Sequence, residues 1–261
     1  MLNIVVCIKQ VPNTNEVKLD PVTGTLIREG VPSIINPDDK AGLEAALRLK
    51  DEQGAHVTVL SMGPPQADAA LREAMAMGAD EAILVTDRAF GGADTLATST
   101  TIAAALKTLE FDLIITGRQA IDGDTAQVGP QIAEHLGIPN ISYAEEIKVD
   151  GDQVTVKRQY EDRYHVVKVK MPCLITALSE LNTPRYMTPG GVFNAYRTAE
   201  VKILTRKDLD VDDANIGLKG SPTRVWQTFT KSLKAAGQLV TLDPQDSADY
   251  MLEKLKEKFI I

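Results

Sequence analysis

A doubly wound α/β fold with a mainly parallel sheet is what this sequence of 261 residues predicts, on three observations. Apolar runs at 3–8, 57–61, 82–86 and 113–116 show no polar alternation, as expected of strands covered on both faces. Helical patterns separate them at 38–53, 66–77 and 95–109, the βαβ alternation that builds a parallel sheet. After the fourth strand the loop 116–130 leads into a further helical pattern, Ile132, Ala133 and Leu136, which stops at Gly137.

The elements follow in order. Strand 3–8 is succeeded by an insertion, 16–20 and 25–28 around Pro21-Val22-Thr23-Gly24, which reads as a projecting hairpin. The first helix has a start signature: Asn36 as N-cap, Pro37 at the first helical position, then Asp38 and Asp39 in the first turn. Gly54 ends it, and Gly78 ends the next, whose Met75 and Met77 read as core packing. Beyond Pro139 the period changes. Segments 141–149, 153–159, 164–170 and 173–177 read as strands joined by tight turns, an antiparallel addition to the sheet. Residues 182–191 read as an ordered loop, 207–221 as a linker, and 246–259 as an amphipathic closing helix within an extended C-terminal arm.

Composition narrows the function. Apolar residues at 44% and charged residues at 25% fit a water-soluble globular chain, and a net charge of −8 disfavours nucleic acid and anionic membranes as partners. No apolar run approaches the roughly 20 residues of a membrane span, and Lys9 interrupts the short run at the N-terminus. A cytoplasmic location is therefore expected. Cys7 and Cys173 sit in strand-like runs and read as buried thiols of a reducing compartment. The three histidines share no ligand spacing, so no metal site is expected, and no nucleophile–base–acid set that would support hydrolysis emerges.

Chemistry concentrates in Gly117-Arg118-Gln119-Ala120-Ile121-Asp122-Gly123-Asp124-Thr125-Ala126-Gln127-Val128. A strand runs into a small polar loop that opens a helix, and the free N–H groups of a helix N-terminus suit a phosphate. Ligands of doubly wound sheets bind outside the carboxyl ends of the strands, at the switch point. Segments 7–10 (opening on Cys7), Asn36–Asp39 (with Pro37 and Asp38), 62–65 (opening on Met62) and 117–128 all fall there. The stretch Gly91-Gly92-Ala93-Asp94-Thr95, followed by Thr98, offers a second helix N-terminus. A nucleotide site is expected, although the G-x-G-x-x-G and P-loop motifs are both absent. Several residues keep a second reading: Asn36 and Asp39 as helix cap and first-turn acid, Asp94 as N-cap, Arg118 as a solvated loop residue.

The chain resembles the β subunits of electron transfer flavoproteins. The resemblance runs from Val5-Val6-Cys7-Ile8-Lys9-Gln10-Val11-Pro12 to about Tyr196. It is most specific at 117–129, at Val156-Lys157-Arg158 through Pro172-Cys173-Leu174-Ile175-Thr176-Ala177, and at Leu181-Asn182-Thr183-Pro184-Arg185-Tyr186. It implies an adenine-nucleotide α-hydrolase-like fold, with nucleotide contacts at Cys7, Asn36–Asp39, Met62 and 117–128. Conventional members hold AMP in the β subunit, whereas electron-bifurcating members hold a second FAD there. Gly123, Thr125 and Ala126, together with the stretch 91–98, look like the bifurcating kind, with Asp94, Thr95 and Thr98 toward the flavin side. The implied function is electron transfer within a heterodimer with an α subunit. NADH is the donor, ferredoxin or flavodoxin takes one electron, and an acyl-CoA dehydrogenase or quinone-linked flavoenzyme takes the other through the α-subunit FAD. In that reading the heterodimer is an NADH-oxidising oxidoreductase whose chemistry is carried by flavin, with no catalytic side chain. An AMP-holding conventional subunit and a stand-alone adenine-nucleotide-binding regulator are the alternatives.

The implied organisation is a nucleotide-binding α/β domain over 1–206, carrying hairpin 16–28 and a partner-recognition loop 182–196. A linker and arm over 207–261 would follow, its helix packing on the partner subunit. One departure stands out. The Leu expected beyond Pro184-Arg185-Tyr186 is missing, leaving Met187, Val192 and Phe193 either as a different apolar anchor or as packing for the loop itself.

Overall fold

The computed structural model describes residues 1–13, 18–19, 26–27, 32–223, 237 and 239–261. Strands β1 (Asn3–Cys7), β2 (Gln10–Pro12), β3 (Lys18–Leu19), β4 (Leu26–Ile27) and β5 (Ser33–Ile35) precede helix α1 (Pro37–Gln53). Then come β6 (His56–Met62), α2 (Asp68–Met77), β7 (Glu81–Val85), α3 (Thr95–Leu106), β8 (Leu113–Gly117) and α4 (Val128–Leu136). The later elements are β9 (Asn140–Asp150), β10 (Gln153–Gln159), β11 (Tyr164–Lys170), β12 (Cys173–Ala177), α5 (Pro189–Arg197), β13 (Val201–Leu204) and α6 (Pro244–Glu257).

Among the described residues, nine strands form one sheet in the order β11-β10-β9-β12-β8-β1-β6-β7-β13. Every pairing from β9 to β13 is parallel, and only the β9-β10 and β10-β11 pairings are antiparallel. The doubly wound α/β class is thus observed, with a smaller antiparallel addition than the sequence predicts: β9 and β12 join the parallel sheet. Chain order reverses beside β1, which has β6 on one side and β8 on the other. Register aligns Cys7 with Leu60 and Thr116, and Ala177 with Gly117, so the carboxyl ends of four strands open on one edge.

Both faces of the sheet are covered over β12, β8, β1, β6 and β7, which is why those strands read as unbroken apolar runs. Ile4, Val6, Ile115 and Ile175 point to the face under α1 and α2, packing with Leu43, Leu47 and Leu71. Val5, Leu60, Ile114 and Leu174 point the other way, toward Ile102 of α3 and Ile132 of α4. Burying each such Leu or Ile contributes about 1.5–3 kcal/mol.

Differences from the sequence expectation lie after β12. The expected loop gives way to α5 from Pro189 on, started by Thr188, whose hydroxyl accepts from the Gly191 N–H, and by Pro189 in the first turn. Strand β13 adds an edge to the sheet beside β7. Residues 207–221 do not behave as a linker: Leu209 and Ile216 are buried in the core, and Leu218 N–H donates to the Gly91 carbonyl at 3.0 Å. Their apolar side chains are simply too sparse to show a period. The chain divides into one unit over Met1–Arg224 and a second over Val225–Ile261. Of the hairpin predicted at 16–28, β3 and β4 pair antiparallel, and the rest lies outside the described residues. In the second unit, α6 begins at Asp243, whose carboxylate accepts from the N–H groups of Gln245 and Asp246. No helix among the described residues is long and apolar enough to cross a membrane.

Candidate functional site

A cleft of about 550 Å³ opens at the carboxyl edge of β1, β6 and β8, within the size range of small-molecule sites. Its floor is built by Cys7, Met62 and Gly117 at the strand ends, with Ile8, Lys9 and Thr116 beside them. One wall carries Asp94, Thr95 and Thr98 from the start of α3, together with Ala93 and Ile102. The opposite wall is the loop into α4, through Arg118, Gln119, Ala120, Gly123, Thr125, Ala126, Gln127 and Val128. Gly129 and Ile132 of α4, Asp39 of α1, and Thr223 complete it.

Six of the residues expected from the sequence to contact the nucleotide do not line the cleft: Asn36, Pro37, Asp38, Ile121, Asp122 and Asp124. The structure gives most of them work in shaping it. Asn36 is fully buried, and its side chain makes no cap bond to α1. Instead its Nδ2 donates to the Gln119 carbonyl at 2.8 Å, and its Oδ1 accepts from the Ile121 N–H at 3.0 Å, clamping the cleft loop. Asp122 pairs with Lys9 at 2.7 Å, and Asp124 accepts from Gln119 Nε2. Asp38 accepts from the Ser179 N–H at 3.1 Å, with Arg118 Nε 3.5 Å from its other oxygen.

Asp39 splices the switch point. Its carboxylate accepts from the Lys9 N–H after β1 at 2.7 Å and from the Gly117 N–H at the end of β8 at 3.0 Å. A side chain at Gly117 would collide with that carboxylate, so only glycine fits. Burial pushes the Asp39 acid up to about 7, against the lowering effect of its bonds from Asn36, Lys9 and Gly117. Burial likewise pushes the Cys7 thiol up to about 12, with Asp39 adding to the effect. Cys7 is therefore a neutral, unreactive part of the floor.

The two walls differ electrically. Asp94 caps α3, its carboxylate accepting from the Ala97 N–H at 3.0 Å and from the N–H and hydroxyl of Thr223 at 3.0 and 2.8 Å. Burial raises the Asp94 acid, but these bonds outweigh it and hold the group below the usual carboxylate range, hence ionised. The α4 end has no such cap. Gln127 occupies the N-cap position without a side-chain bond to the helix, and its Oε1 accepts from Thr95 Oγ1 at 2.9 Å. Asp124 and Ala126 just before it have φ of 53° and 54°. Left-handed backbone at a non-glycine residue costs roughly 1–2 kcal/mol and recurs where amides converge on an anion.

This donor set fits a nucleotide: uncapped amides and Arg118 for phosphate, short hydroxyls of Thr95, Thr98 and Thr125 for sugar or ring polar groups. A Cβ added at Gly123 would meet nothing within 4 Å, so the fold itself leaves room there. Among the described residues no group of three or more metal-ligating side chains occurs, and the cleft lining contains no histidine. The arrangement is one for holding and orienting a ligand. Ile8, Lys9, Ala93, Thr116 and Gly129 line the cleft from within segments the sequence selected, 7–10, 91–95 and 116–130, although none was named as a contact. Ile102, Ile132 and Thr223 were not anticipated, and Thr223 carries no local signal.

Comparison with known proteins gives the same direction. The family model described as the electron transfer flavoprotein domain matches residues 23–209. An electron transfer flavoprotein subunit beta of Clostridium acetobutylicum is 62% identical over 260 residues, covering the whole of both chains. Subunit CarD of the caffeyl-CoA reductase-Etf complex of Acetobacterium woodii is 53% identical over 263 residues, again covering both. The acryloyl-CoA reductase electron transfer subunit gamma of Anaerotignum propionicum is 46% identical over 269 residues, with full coverage.

Proposed function

This chain belongs to the electron transfer flavoprotein family as a subunit of the β type, and from that premise we propose that it holds FAD in the cleft between α3 and α4 and serves an electron-bifurcating heterodimer. The α subunit of the flavoprotein is the obligate partner, and a flavoenzyme acting on an acyl-CoA or enoyl-CoA thioester is the downstream one. FAD held there would supply two-electron exchange with NADH and one-electron exchange with ferredoxin or flavodoxin and, through the α-subunit FAD, with the acyl-CoA dehydrogenase or quinone-linked partner. The protein's own contribution is placement. The amides opening α4 and Arg118 would take the pyrophosphate; Asn36 and Asp39 keep loop and strand ends in register; Cys7 and Met62 form an apolar floor.

One observation carries the reading: an uncapped α4 N-terminus faces a cleft of about 550 Å³ whose lining also takes in Gly123, where added bulk would meet nothing within 4 Å, and Asp94 and Thr98 at the start of α3. The relatives named for caffeyl-CoA and acryloyl-CoA reductases support the choice of a CoA-thioester partner.

The surface beyond Pro184-Arg185-Tyr186 suits that docking. Tyr186 is 94% exposed, and Met187, Val192, Phe193 and Tyr196 are exposed as well. The segment is anchored from beneath: Arg185 donates from its backbone N–H and Nε to Glu44 at 3.0 and 2.8 Å, and from Nη2 to Asp51 at 2.8 Å. Burial raises the Glu44 acid, but Arg185 and Arg48 more than offset this and hold it below its ordinary range. Arg72 of α2 donates to the Ala195 carbonyl of α5, fixing the second half of the patch.

The test is cofactor content. The chain is coexpressed with its cognate α subunit, and nucleotides released by denaturation are quantified per heterodimer. Two FAD and no AMP is the expected result. One FAD with one AMP would replace this reading by a conventional one-flavin carrier.

A further inference from the structure

The wall of the cleft that carries Asp94 is completed from far along the chain. Thr223 lines the cleft and lies 129 residues from Asp94, to which it gives both its N–H and its hydroxyl proton. Two residues earlier, Ser221 Oγ accepts from the Asp94 N–H at 2.8 Å and donates to the Gly217 carbonyl at 2.7 Å. Leu218 N–H donates to the Gly91 carbonyl, and Ile216 is buried in the core beneath. The strap 216–223 is thus tied to the loop ahead of α3 by bonds running in both directions. It is attached at the last described residue before unit 1 ends at Arg224.

We propose that Thr223 is a ligand-retaining residue of the cleft, locked into its wall by Asp94 and Ser221, and that it selects the neutral, hydrogen-bond-donating part of a dinucleotide over a phosphate. The chemistry follows from the protons. Thr223 Oγ1 spends its own proton on Asp94, so toward the cleft it presents only lone pairs, which accept from a ligand hydroxyl or ring N–H. The Asp94 carboxylate behind it repels phosphate, which the open α4 end attracts. AMP ends at its phosphate and has no reason to use this wall; FAD continues past it. The inference rests on the cleft holding a nucleotide, as proposed above.

The experiment compares the wild-type heterodimer with Thr223→Val, Thr223→Ser and Asp94→Asn, using FAD and AMP as separate probes. Asparagine keeps the α3 cap through Oδ1 but turns an amide donor toward the Thr223 N–H. FAD should leave Thr223→Val and Asp94→Asn about tenfold faster than wild type, with Thr223→Ser within about twofold of it, as loss and retention of such bonds imply. AMP affinity should be the same in all four. In the wild type, FAD should slow hydrogen exchange of the Thr223 amide and AMP should not. Unchanged FAD release in Thr223→Val, or unchanged exchange in the wild type on FAD binding, overturns the proposal and leaves the nucleotide reading standing. A wild type that retains neither nucleotide overturns both. Should Thr223→Val fail to fold, the wild-type exchange result and Thr223→Ser decide alone.

Discussion

Helices α3 and α4 both point their N-termini into one cleft, yet the chain has finished one of them and left the other open. Asp94 caps α3 and is itself bonded by Thr223, so that terminus is electrically neutralised before any ligand arrives. At α4 the N-cap is Gln127, whose side chain turns away to Thr95, and the helix dipole faces the cleft unopposed. Two geometrically similar ends therefore offer opposite chemistry. In the proposed reading one would seat phosphate and the other repel it, which would orient a ligand carrying charge at a single point along its length. A third helix, α1, shows another use of the same position: its first-turn Asp39 engages one carboxylate oxygen with the Lys9 N–H and the other with the Gly117 N–H, tying two strand ends together.

This contrast can be broken in two ways and sharpened in a third. The largest effect is expected from Asp39→Ala, which strips two buried amides of their acceptor and should cost about 2–5 kcal/mol in urea unfolding at pH 6. A loss under 1 kcal/mol would mean that Asp39 is not the splice described. The wild type should also show a pH signature. With the Asp39 acid raised to about 7, above the unfolded value near 4, the native state binds the proton more tightly between those limits. The Asp39 contribution to stability therefore falls as pH rises through that window and levels off above it, a slope that Asp39→Asn should remove.

Next comes Gly129→Ala. The added Cβ would stand 2.6 Å from Thr116 Oγ1 and 2.8 Å from Thr176 Cγ2, so the first turn of α4 must lift off the sheet. Overpacking of this kind costs about 1–3 kcal/mol, and the displaced amides should weaken nucleotide binding by roughly tenfold or more. Gly123→Ala is the control: its Cβ enters open space, and stability should stay within about 0.5 kcal/mol of wild type. Equal behaviour of the two variants would count against the close seating of α4.

The smallest change sharpens the comparison instead of breaking it. Gln127→Asp gives α4 the cap that α3 already has, adding about 0.5–1 kcal/mol of stability while weakening a phosphate ligand by about tenfold through like charge. Isothermal titration and thermal unfolding should thus move in opposite directions. If both rise, the phosphate does not sit at α4.

What the sequence made legible was the part written locally. Unbroken apolar runs announced strands covered on both faces, and the strand–loop–helix run at 113–136 announced the cleft. Asn36 shows the limit: Asn-Pro-Asp-Asp reads as a helix start, and a helix does start there, but the side chain clamps Gln119 and Ile121, more than 80 residues away. No local pattern encodes such a partner. The same holds for Lys9 with Asp122 and for Thr223 with Asp94. Strand β13 was missed because only Leu204 of its four residues is buried, too little for any periodicity. Helix α5 hid behind its proline and glycines, although Thr188 followed by Pro189 is itself a start signal that was passed over.

Helix α1 also sets a length. Its first turn carries Asp39, at the cleft; one and a half turns on it carries Glu44, and farther along Asp51, the two carboxylates that grip Arg185 under the exposed tyrosine Tyr186. At 1.5 Å per residue these stations lie about 8 and 18 Å from Asp39 along the axis. The helix therefore works as a surveyor's rod between the pocket and the ledge a partner would meet. Whatever docks on that ledge is referenced to the pocket by hydrogen-bonded turns that scarcely stretch, so spacing along this line belongs to the chain and not to the visitor.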